Sequence, residues 1–150
     1  DSHPMDSDLR QGVKALANTV RALKPGGVLI TLVRAEEGVG VFGLANSKLP
    51  FSRKTLQFLA PLLLPLVPKL KIKGLGEEDR FFLYFALQGM RRGHLLMFAP
   101  TIPAEVQANL PFVEFCSTPQ EAIEAAHRIF PNRADVAVFP SGGISYPQLG

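Results

Sequence analysis

The sequence predicts an α/β protein: a three-layer, Rossmann-like sandwich around a mostly parallel sheet of about four strands. Three observations predict it. Aliphatic runs of strand length recur at 27–33, 94–99, 111–116 and 134–140. Segments with helical periodicity or clear helix-start signals lie between them. The two kinds of segment alternate along the chain, which is the order that builds parallel crossovers. A length of 150 residues is enough for one domain with a sizeable core. A composition of 47% hydrophobic and 19% charged residues is that of an ordinary soluble globular chain.

Residues 8 to 23 form the first predicted helix. Leu9, Val13, Leu16, Val20 and Leu23 recur on one helical face, and Asp8 with Gln11 three residues on makes a capping pair at its start. The sequence "KPGG" at 24–27 ends it: Lys24 suits the negative end of the dipole, and Pro25 cannot continue a helix. "GVLITLV" at 27–33 is a continuous run of the kind covered on both faces of a sheet. The glycine-containing stretch after it reads as a loop at the strand's carboxyl end. Residues 53 to 70 are strongly apolar but carry Pro61, Pro65 and Pro68. A membrane span needs about 20 predominantly apolar residues in a row, so short kinked helices are predicted instead. Their apolar side is expected to cover the core or meet another domain.

Residues 77 to 91 begin with acids and end in arginine, matching the helix dipole. Phe81, Phe82, Leu83, Phe85 and Leu87 make this helix apolar nearly all round, so deep burial is expected. A second strand at 94–99 and a shorter third at 111–116 follow. "STPQEAIEAAHRIF" opens a helix with Ser117 or Thr118 as cap, Pro119 in the first turn and Glu121 close behind. The fourth strand, 134–140, runs into the turn Ser141, Gly142, Gly143. Ligands of open parallel sheets bind beyond the carboxyl ends of the strands. Glycine-rich loops at 36–43 and 141–143 are expected at two such ends.

Several chemistries are excluded. "GVGVFG" at 38–43 matches the dinucleotide fingerprint letter for letter, yet no helix opens at the glycines and no acid lies between Glu37 and Glu77 to hold a ribose. His3, His94 and His127 are far apart, with no pair at metal-ligand spacing. His127, beside Ile123 and Ala126, is expected to be half-buried. Ser141 is not in a nucleophile elbow; its turn either presents backbone N–H groups to an anion, as nests do, or is a plain turn. The single cysteine, Cys116, rules out an internal disulfide, fits a reducing cytoplasm, and is expected to be a buried, inert thiol. A net charge of +3 is too small to imply nucleic acid. Lys48, Arg53, Lys54, Lys69, Lys71 and Lys73, with no acid among them, form a solvated basic face or meet an acidic partner domain. No membrane association is expected. The chain begins without methionine and runs straight into a helix, as a piece of a longer protein would.

Gln11 and Lys14, one turn apart on the same helix face, are either surface decoration or a binding pair. A lysine ammonium forms charge-assisted bonds to a carboxylate, and a glutamine amide both donates and accepts. The segments "HPMDSDLRQGVK", "KPGGVLITLVRAEEGVG" and "VFPSGGISYP" occur in that order. On these motifs, over essentially the whole chain, the sequence resembles the C-terminal domain of the nickel-pincer-dependent lactate racemase family.

The resemblance implies the C-terminal half of a two-domain isomerase, inactive as this fragment alone. In such a protein the N-terminal domain carries the nickel-pincer nucleotide and the catalytic histidines, and no cofactor is expected on this fragment. A hydride leaves C2 of a 2-hydroxy acid and returns to either face. The C-terminal domain closes the cleft, and the resemblance implies that Gln11 and Lys14 contact substrate, with no catalytic residue here. Ser141, Gly142 and Gly143 are the candidate cleft or anion loop. The expected partners are the cofactor-bearing domain and a small 2-hydroxy acid; association into a homo-oligomer is left open. The alternative reading is a non-catalytic anion- or nucleotide-binding α/β module.

Overall fold

The computed structural model describes residues 7–69, 71, 75–132, 134–145 and 147. His3, Lys73 and the start of the opening motif lie outside the described residues. Among the described residues five α-helices and three strands follow one another as α1 (Leu9–Thr19), β1 (Val28–Leu32), α2 (Arg53–Leu63), α3 (Glu77–Arg92), β2 (His94–Phe98), α4 (Ala104–Ala108), β3 (Glu114–Cys116) and α5 (Pro119–Ile129). The strands form one parallel sheet in the order β1-β2-β3, with Val28 opposite His94 and Leu96 opposite Glu114. Helices α1 and α3 pack on one face of the sheet and α5 on the other. This is the predicted three-layer α/β arrangement.

The helix starts follow from their caps. The Asp8 carboxylate accepts the Gln11 amide at 2.7 Å, and Thr118 Oγ1 accepts the Glu121 amide at 3.0 Å. Glu121 in turn accepts the amide of Ser117, the residue before the cap, at 2.6 Å, a second tie at this helix start. Pro61 is accommodated within α2, and past Leu63 the chain continues into a short 3-10 turn, Val67–Lys69, so the segment is made of short helices, as expected. Leu56, Ala60, Leu64 and Val67 are buried, whereas Phe58, Leu62 and Leu66 face outward.

The two faces of the sheet are covered unequally. Leu29, Leu95 and Met97 join the main core with α1, α2 and α3. On the other face Leu96 and Cys116 pack with Ala122 and Ala125 of α5, and Val28 and Ile30 are only partly buried. Leu32, at the carboxyl end of β1, is 48% exposed. The expectation of a first strand covered on both faces is therefore corrected. Helix α5 leaves the Leu32 end of β1 open, where a hollow lies.

The fourth strand is also corrected. Residues 134–139 carry no strand, and Val136 and Val138 are 82% and 78% exposed. β-Branched residues favour extended backbone, but a strand also needs an edge to pair with. The segment instead passes Lys24, where Asp135 lies 3.9 Å from its ammonium, and turns at 140–144 against α1. The short helix α4 has no counterpart in the predicted elements. His127 is exposed rather than half-buried, because it lies on the outer side of α5. Among the described residues no helix is long and apolar enough to cross a membrane.

Candidate functional site

Helix α1 positions the site. Its buried side, Leu9, Val13, Leu16 and Ala17, joins the main core, and Gly12 lies so close to the Val33 side chain that no larger residue fits without displacing it. That contact fixes α1 against the end of β1. Gln11 and Lys14 lie on the other side of the helix, half-buried. The Lys14 ammonium donates to Gln11 Oε1 at 2.6 Å. Gln11 thus uses its backbone amide for the Asp8 cap and its side-chain oxygen for Lys14.

The two glycine loops meet α1 at different places. The Leu9 amide donates to the Gly38 carbonyl at 2.8 Å, and Gly40 abuts the Asp8 carboxylate. Residues 36–43 thus stand at the carboxyl end of β1, as expected. After them Gly43–Asn46 forms a single 3-10 turn rather than a helix, in keeping with the rejected dinucleotide fingerprint. The 141–143 turn follows no strand, which corrects that expectation. It docks on the flank of α1, where Asn18 Nδ2 donates to the carbonyls of Gly143 at 2.9 Å and Gly142 at 3.4 Å. Within the turn the amides of Ile144 and Ser145 both donate to the Ser141 carbonyl.

Between α1, the start of α3 and this turn lies a cleft of about 630 Å³. Lys14, Ala17 and Asn18 form one wall, Glu77, Glu78, Phe81 and Phe82 another, and Gly143 closes it. The structure therefore brings Lys14 and Gly143 of the sequence candidates to one cleft, with Gln11 bonded to Lys14. Arg10 pairs with Glu78 across the helices, and Arg80 lies 3.8 Å from Glu77. Asp79, buried at the same helix end, accepts the Gly76 amide at 2.9 Å and the Leu44 amide at 3.2 Å, tying the loop after β1 to α3.

Sequence reasoning missed Asn18 and Phe81. Asn18 sits one turn after Lys14 with no local role to mark it. Phe81 was expected in the core but is 53% exposed. A smaller hollow of about 350 Å³ lies at the carboxyl ends of β1 and β2, lined by Leu32, Phe98, Thr101 and Pro119 among others. Thr101 Oγ1 there donates to the Ala35 carbonyl at 2.6 Å. Cys116 lies buried beside α5, and burial, with Glu121 and Glu114 nearby, pushes its thiol pKa up. Such a thiol is a poor nucleophile at neutral pH. Among the described residues no group of three or more His, Cys, Asp or Glu could hold a metal ion.

The fold defined by these elements is an α/β layer structure on a short parallel sheet, with a cleft between two helices on one face. Among solved structures it is similar to that of the lactate racemase apoprotein from Thermoanaerobacterium thermosaccharolyticum, with a TM-score of 0.54 at 18% sequence identity. The match covers 87% of this chain and 29% of that one. This chain thus corresponds to less than a third of that protein, and the likeness concerns the fold. No protein-family model and no curated protein sequence matches this chain.

Proposed function

We propose that this chain is the substrate-closing C-terminal domain of a nickel-pincer-dependent racemase or epimerase of 2-hydroxy acids. The observation that carries the reading is Lys14, an ammonium bonded to the neutral amide oxygen of Gln11 at the wall of the large cleft. The fold shared with part of a lactate racemase supports it.

In this reading the substrate carboxylate takes a charge-assisted bond from Lys14. Gln11 holds the ammonium in place before substrate arrives, so little side-chain entropy is lost on binding. Its Nε2 is a donor suited to a hydroxyl or keto oxygen at C2. Asn18 fixes the carbonyls of the 142–143 turn and so keeps that wall standing. The described residues of this chain offer no metal-ligand cluster, and the reading assigns the nickel-pincer nucleotide to a preceding domain. When bound there, that group supplies the hydride chemistry at C2. This chain binds, orients and shields.

The test is Lys14→Ala in the full-length, cofactor-loaded protein. We expect kcat/KM for a 2-hydroxy acid to fall about 100-fold, the upper end for a bond to a charged group, with an unchanged circular dichroism spectrum. Unaltered kinetics would remove Lys14 from the site. Tight nucleotide binding by the isolated chain, read by titration calorimetry, would favour a binding module instead.

A further inference from the structure

The cleft is larger and more aromatic than a three-carbon hydroxy acid requires. Its volume of about 630 Å³ falls in the range of sites that enclose drug-sized ligands, about 300–1,000 Å³. The wall facing Lys14 is built by the first turns of α3, where Phe81 is half exposed although its neighbours Phe82 and Phe85 are buried. The exposed ring is not loose. Its centroid lies 4.6 Å from that of Phe85 in a tilted pair and 5.8 Å from that of Phe82, edge to face. Phe82 in turn meets Phe42 edge to face at 5.7 Å. Phe81 is thus the outermost ring of a packed aromatic cluster, held in one orientation with part of its surface on the cleft.

Charge gives the cleft a direction. Lys14 stands on the α1 wall bonded to the neutral Gln11 amide oxygen, while Glu77 and Glu78 on the α3 wall beside Phe81 are matched by Arg80 and Arg10. An anionic group is thus drawn to Lys14, whose charge no carboxylate offsets among the described residues, rather than to the α3 wall, where the arginines already have carboxylate partners. A 2-hydroxy acid therefore enters with its carboxylate toward Lys14, leaving its C2 substituent to meet Phe81 and Ala17.

Resting on the racemase reading above, we propose that the substrate is a 2-hydroxy acid bearing an aryl group, such as 3-phenyllactate, and that Phe81 is the residue that selects it. An aryl ring on the substrate extends the existing cluster by one more offset or edge-to-face pair. It also covers apolar surface that is otherwise in water. A methyl group, as in lactate, has no ring to add to the cluster and covers less apolar surface.

The experiment compares 3-phenyllactate with lactate in the full-length protein, native and Phe81→Ala. Racemisation by the loaded protein gives the ratio of kcat/KM for the two acids, and titration calorimetry on the unloaded protein gives the ratio of their affinities. We expect both ratios to favour 3-phenyllactate and to fall about tenfold in Phe81→Ala. A preference for lactate, or ratios that Phe81→Ala leaves unchanged, overturns the aryl assignment while leaving the racemase reading intact. Racemisation of neither acid, or of any other 2-hydroxy acid, overturns both. Because Phe81 is half exposed, its truncation leaves the core packed; Phe81→Tyr, which keeps the ring, should retain both preferences.

Discussion

The loops at 36–43 and 141–143 are both glycine-rich, and both brace α1, but they do so by different physics. In the first, Gly38 and Gly40 have φ of +82° and +70°, and a Cβ on Gly40 would stand 2.6 Å from Asp8 Oδ2. Backbone shape and space are both demanded there. In the second, Gly142 is constrained by space alone, a Cβ meeting that of Ala15 at 3.2 Å. One loop is built into the helix start, and the other is leaned against its side. Glycine in the sequence does not reveal which.

Three substitutions sharpen that difference, each read by urea denaturation. Gly40→Ala is expected to cost the most, about 2–3 kcal/mol. It forces a side chain into the left-handed region, at about 1–2 kcal/mol, and pushes the Asp8 carboxylate off the Gln11 amide, at about 1 kcal/mol. Asp8→Ala removes the cap alone and should cost about 1 kcal/mol. In that background Gly40→Ala should cost only the backbone share, since the carboxylate it displaces is gone. Full additivity would show that Gly40 and Asp8 do not act together. Gly142→Ala is expected to cost least, under about 1 kcal/mol, because Ala15 has only to give by a few tenths of an ångström. A loss equal to that of Gly40→Ala would erase the distinction between the loops.

What the sequence made legible was local. Asp8 and Thr118 cap helices through amides three residues on, and Pro119 starts α5, so the letters alone locate these ends. The apolar runs that became β1, β2 and β3 were readable for the same reason. The run at 134–140 misled because two-residue alternation specifies an extended backbone, not the neighbour it would pair with. Phe81 misled because apolar residues on every side of α3 hide which side the rest of the molecule covers. The pair Gln11 and Lys14 was visible from spacing, and the structure joins the two side chains. The bond from Asn18, one turn further on, to Gly143 was not, since nothing near Asn18 announces a contact so distant in sequence.

That distance has a consequence for assembly. Asn18 and Gly142 are 124 residues apart. Closing so long a loop carries an entropy cost that grows only slowly with length but must be met before the contact gives anything back. The helix that bears Lys14 can form from its own cap and its own apolar stripe. The turn that closes the cleft beside it cannot dock until almost the whole polypeptide has been gathered. A nascent or partly unfolded chain therefore displays the cationic helix without the completed cleft, and under the proposed function ligand binding would report on completed folding rather than on the helix alone.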